Sequence, residues 1–243
     1  QKQFSDEEGT KELNELPVIS AFGHDYKVDE EKSEDDTRVT LIFTCKREDC
    51  TAETDKHEVM VTLNAPDLLT YDGTVKEATV TQTPKDAFDS VSVSYESVDK
   101  RRSATLVGGK PVNAGDYRAT VTVGTGEDAV SASVEYTIQK KEISVYSIDA
   151  SDKIYDGATK VKVDHVTLIG ILEPDVVEAD TTDLYGDLPD KNAGTYTEIT
   201  LPELKLTGDD ADNYELTQPK NPMKLNVSVS VQKLSLIHIS EPT

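Results

Sequence analysis

From residue 38 onward, apolar and polar residues alternate in short runs, and no window of twelve or more residues holds a capped helical period. The segments RVTLIFT at 38–44 and EVMVTL at 58–63 are rich in β-branched side chains and nearly period two, the pattern of half-buried strands. The same reading predicts strands at 74–81, 91–95, 104–107, 117–123 and 130–138. A second series follows at 143–148, 160–168, 176–179, 195–206, 214–217 and 225–231. Turn-forming residues fall between them, among them Asp72-Gly73, Gly108-Gly109 and Asp156-Gly157. The predicted class is all-β, and the strand spacing suggests sandwiches.

The two series repeat. Tyr71-Asp72-Gly73 recurs as Tyr155-Asp156-Gly157, and Asn113-Ala114-Gly115-Asp116-Tyr117 recurs as Asn192-Ala193-Gly194-Thr195-Tyr196. Ile138-Gln139-Lys140 returns as Val231-Gln232-Lys233. Three markers in the same order predict tandem units on a shared framework. The expected organisation is a flexible acidic lead-in at 1–17, a small β-hairpin module at 18–64, and sandwiches at 65–140 and 141–233. Residues 234–243 (LSLIHISEPT) resemble the in-frame translation of a transposase adapter used in sequencing libraries. They are set aside from the fold, with His238 among them.

Both signatures make physical sense as turn devices. The Asp of Tyr-Asp-Gly can accept backbone N–H bonds one or two residues on, and the Gly supplies a positive φ. Its Tyr can bury the ring and pass the hydroxyl to a backbone partner. In Asn-Ala-Gly-x-Tyr, a left-handed Gly115 or Gly194 would end the loop, and Tyr117 or Tyr196 would enter the next strand facing the core. That resembles the structural tyrosine of an immunoglobulin-type corner. A sugar-binding or catalytic Tyr/Asp pair is the alternative, and repetition in both units favours framework.

At these residues a family resemblance becomes specific. Residues 153–217 resemble the YDG family of bacterial surface proteins through KIYDGAT at 153–159, LIG at 168–170, DKNAGTY at 190–196 and LTGDDADNY at 206–214. The last of these includes Asn213 and Tyr214. Residues 65–140 are similar to the related MBG family of immunoglobulin-like modules, through Tyr71-Asp72-Gly73, VSY at 93–95, NAGDY at 113–117 and VEYTI at 134–138. They have no counterpart of the 206–214 segment. The resemblance implies tandem immunoglobulin-like β-sandwich modules in adhesin-like proteins of the bacterial cell surface or wall. It carries over no catalytic residue. Residues 20–60 resemble a short repeat that often neighbours such modules, opening at Gly23-His24-Asp25-Tyr26; that repeat ends near a Cys-x-x-Cys, where this chain has Cys45 and Cys50.

Charge and candidate chemistry narrow the function. Against 25 Lys and Arg the chain carries 47 Asp and Glu, a formal charge of −22. That argues against nucleic acid and against anionic membrane surfaces. No apolar run approaches a membrane span. Cys45 and Cys50 flank four residues between two strands, within reach of a cross-strand disulfide. An extracellular setting favours that bridge; a zinc site with His24 and His57, or free thiols, are the other readings. Asp209, Asp210 and Asp212 could offer oxygens to calcium, but an ordinary hairpin turn is preferred. The acidic run 29–36 reads as a solvated loop, and His165 as a strand surface residue. No cofactor, resident metal or nucleophilic constellation is expected. Trp is absent and only four Phe occur, so a sugar-stacking platform is poorly supplied. The expected function is a non-catalytic extracellular spacer or adhesion segment of a larger bacterial surface protein, packed against neighbouring repeats of its own chain. A module that binds a host glycan or protein, or an accessory region of a glycan-degrading enzyme, is the alternative.

Overall fold

The computed structural model describes residues 20–21, 24–35, 37–47, 58–98 and 106–230, which fall into two compact units, 1–139 and 140–243. Nearly all of the described secondary structure is strand, as the alternation predicts. The lead-in at 1–17 and the tail at 234–243 lie outside the described residues, as do Cys50 and His57.

In the first unit, β1 (Ser20–Ala21), β2 (His24–Asp35), β3 (Arg38–Cys45), β4 (Glu58–Asn64) and β5 (Thr79–Thr83) form one antiparallel sheet in that order. A second sheet orders β6 (Val91–Ser97), β7 (Gly115–Val123) and β8 (Val130–Ile138), and β3 and β4 pack on β8. Period-two alternation dictates the layering. On β7, Tyr117, Ala119, Val121 and Val123 are buried, while Arg118 faces outward and bridges Glu96 and Glu135 on the flanking strands. Leu41, Phe43, Val61 and Leu63 supply the opposing layer. Phe88 closes one margin edge-on to Phe43 and Tyr26, with centroids 4.9 and 5.4 Å away.

Three sequence expectations change here. The acidic run 29–36 is not a loop: through Asp35 it is the end of β2, paired with β3 from Tyr26↔Cys45 to Asp35↔Arg38. Among the described residues, β1 covers only the His24–Asp25 end of β2 and the rest is a sheet edge, with bulges between Val28 and Glu30 and between Ser33 and Asp35. Charged side chains and bulges are what a solvated edge tolerates, which is why the run reads as loop. The second change concerns the expected boundary at 64–65. β4 pairs with β5 from Met60↔Thr83 to Asn64↔Thr79, so one sheet runs across it. The strand expected at 74–81 begins only at Thr79, because the Tyr71-Asp72-Gly73 turn occupies the chain before it.

The second unit contains β9 (Lys141–Ala150), β10 (Lys153–Ile154), β11 (Lys160–Ile169), β12 (Glu178–Ala179), β13 (Tyr185–Asp187), β14 (Gly194–Ile199), β15 (Leu206–Thr207), β16 (Tyr214–Thr217) and β17 (Met223–Ser230). Its sheets run β13-β11-β9-β16, β10-β17-β14 and β12-β15. Ile148, Val161, Val163, Val166, Leu184 and Ile199 lead a core that Tyr196, Met223 and Leu225 flank. Each such buried aliphatic stabilises by about 1.5–3 kcal/mol. The expected strand 195–206 divides into β14 and β15, because residues 200–205 turn inward to bury Leu201 and Leu204. Asn221 and Gln218 side chains satisfy the backbone there, at Leu201 and Leu204 respectively. His165 is exposed, beside a bulge in β11.

Candidate functional site

Both Asp residues of the Tyr-Asp-Gly signatures close the same turn. Asp72 Oδ1 accepts the Thr74 N–H at 2.9 Å, and Asp156 Oδ1 accepts the Ala158 N–H at 2.9 Å. Gly73 and Gly157 follow at φ +76° and +77°. The supporting lysines differ. The buried Lys76 donates to Asp72 Oδ2 at 2.6 Å, whereas Lys153 reaches Asp156 Oδ1 at 2.7 Å from the other side of the turn. The Lys76 hydrogen bond, helped by Thr74, brings Asp72 down to about 2, and Lys153 with the Ala158 N–H lowers Asp156 in the same direction. Lys160, which stands in the second signature where Lys76 stands in the first, binds Asp187 instead at 2.7 Å.

The tyrosines diverge further. Tyr71 is 4% exposed, its N–H donating to the Gln139 carbonyl at 2.8 Å; Tyr155 is 44% exposed. Ring burial therefore holds in one copy only.

The Asn-Ala-Gly-x-Tyr pair forms two corners. Tyr117 donates its hydroxyl to the Asn113 carbonyl at 2.9 Å, and Tyr196 to the Asn192 carbonyl at 2.6 Å. In each case the phenol reaches back four residues, which locks the loop to the entering strand. Tyr117 is fully buried and its hydroxyl is pushed up by that burial; Tyr196 is half-buried and is raised first by Asp190, which its hydroxyl also meets at 2.5 Å. Gly115 has φ +150°, but Gly194 lies outside the left-handed region, so the expected left-handed loop end exists only in the first corner.

In the 206–214 segment, Asp210 Oδ2 accepts the Val176 N–H at 2.9 Å, and Gly208 packs so closely on Val176 that a Cβ there would overlap its carbonyl. The buried Tyr214 hydroxyl accepts the Leu172 N–H at 3.1 Å and donates to Asp175 at 2.6 Å. Burial, then this bond to Asp175, pushes Tyr214 up to about 12. Asn213 is buried beside it. The acidic segment thus folds as a clamp on residues 172–176, and Asp210 is committed to backbone. Among the described residues, no three His, Cys, Asp or Glu side chains gather as a metal site. Cys45 is buried on β3 and His24 stacks on Tyr26. Both the disulfide and the zinc reading need Cys50, outside the described residues.

One feature escapes the sequence signals. An open groove of about 510 Å³ is lined by Lys160, Asp183, Tyr185 and Pro202. Tyr185 is 46% exposed, and the Lys162 ammonium stands 5.2 Å from its ring centroid. Lys162 also donates to the Thr181 and Thr182 carbonyls, both at 2.6 Å, pinning the turn that presents Asp183. The alternating lysines of β11 are the only sequence trace of this surface; Lys160 and Lys162 lie 25 and 23 residues before Tyr185, and that separation hides it.

Among the described residues, no helix is long and apolar enough to cross a membrane. No curated protein and no solved structure matches the chain. Residues 139–222 match the YDG domain, so the tyrosine corner at Tyr196, the turn at Asp156 and the clamp at Tyr214 belong to a YDG domain within this chain.

Proposed function

We propose that the chain is a non-catalytic, extracellular spacer segment of a larger bacterial surface protein, built from tandem immunoglobulin-like β modules. The observation that carries this reading is how the repeated polar residues are used. Tyr117 and Tyr196 each bond a backbone carbonyl four residues back, and Asp72 and Asp156 each close their own turn. Residues that hold their own loops cannot also turn over a substrate without losing those bonds. The YDG domain at 139–222 is the second support, through the surface proteins it resembles. The charge of −22 keeps neighbouring copies of such a segment apart.

Single-molecule pulling of the whole chain between handles tests the mechanical role. A spacer of two modules gives two discrete, reversible unfolding events, and the chain shows no turnover on glycan or peptide substrates. One unfolding event, or carboxylate-dependent hydrolysis, overturns the reading.

A further inference from the structure

The groove lined by Lys160, Asp183, Tyr185 and Pro202 points to a role the turn devices do not explain. We propose that it is a binding site for a neutral oligosaccharide. Tyr185 keeps 46% of its surface open on a strand otherwise committed to the sheet, and Lys162 fixes it in place through the ring and the 181–182 carbonyls. An exposed aromatic held rigid presents contact area at little cost in conformational freedom. Pro202 adds an apolar wall, and Asp183 and Lys160 add one acceptor and one donor. The volume lies within the range of about 300–1,000 Å³ typical of small-ligand sites.

The chemistry selects among occupants. Lys160 is neutralised by Asp187 at 2.7 Å, and Asp183 stands beside it, so the groove has no surplus positive charge for an anion. A peptide strand cannot extend the sheet at Asp187, because β13 there exchanges both backbone bonds with Thr200, at 2.8 and 2.9 Å. What remains is a ligand with apolar faces and many uncharged hydroxyls, and a pyranose chain has that surface.

The test is amide-resolved titration of the whole chain with cellohexaose, maltohexaose and xylohexaose. Saturable shifts centred on residues 160–162 and 183–187 are expected for at least one of them. Tyr185→Ala is expected to weaken that binding about tenfold or more, and Tyr185→Phe to keep it, with the melting temperature of the Phe variant unchanged. Asp183→Asn, on the exposed turn, is expected to weaken binding without altering the fold. Absence of saturable shifts with all three sugars, shifts elsewhere, binding indifferent to both Tyr185→Ala and Asp183→Asn, or preferential uptake of a proline-rich peptide overturns the proposal.

Discussion

Gly157 and Gly194 make a controlled pair, since a Cβ at either would meet open space. Only Gly157 has a positive φ, +77°. Gly157→Ala should therefore cost about 1 kcal/mol, and Gly194→Ala should be near neutral, as read by thermal unfolding. Equal losses would show that contacts, not backbone conformation, set the cost. Asp72 gives a pH prediction. Its folded value of about 2 lies below the unfolded 3.8, so its contribution is complete above pH 3.8 and is lost as pH falls towards 2. Comparing Asp72→Asn with the parent across that window should show the difference between them shrinking. A constant difference down to pH 2 would mean that Lys76 does not hold the carboxylate.

At the scale of elements, the decisive contact in the YDG domain is between the 206–214 segment and residues 172–176. Tyr214→Phe removes the acceptor for the Leu172 N–H and the donor to Asp175. The expected cost is about 1–3 kcal/mol, with faster amide exchange at Leu172. Unchanged exchange there would mean that backbone pairing alone docks the segment. Strand existence was legible in alternation: β8 and β16 begin and end where the pattern does, at Val130–Ile138 and Tyr214–Thr217. β2 was not, because edge strands accept charged residues, and an acidic run such as 29–36 lacks the alternation that marks strands. Nor was the division between β14 and β15, since Leu201 and Leu204 are as apolar as strand residues but bury from an irregular segment.

At the scale of the molecule, a charge of −22 predicts self-repulsion in the folded state. Raising ionic strength from about 10 mM to 150 mM shortens the Debye length from roughly 30 to 8 Å and should raise the melting temperature. A melting temperature that falls with salt would show that the ion pairs of Arg118, Lys153 and Lys160 outweigh the repulsion. Local spacing alone determined the all-β class and the turn chemistry at Asp72 and Asp156, because alternation and Asx turns are short-range properties of the backbone. The tertiary structure decided which tyrosines are buried: Tyr71 and Tyr155 are both followed by Asp-Gly, yet only Tyr71 is buried. It also decided that β4 continues into β5, and that Lys160 and Tyr185 line one groove, because pairing across long loops depends on where distant strands find their partners.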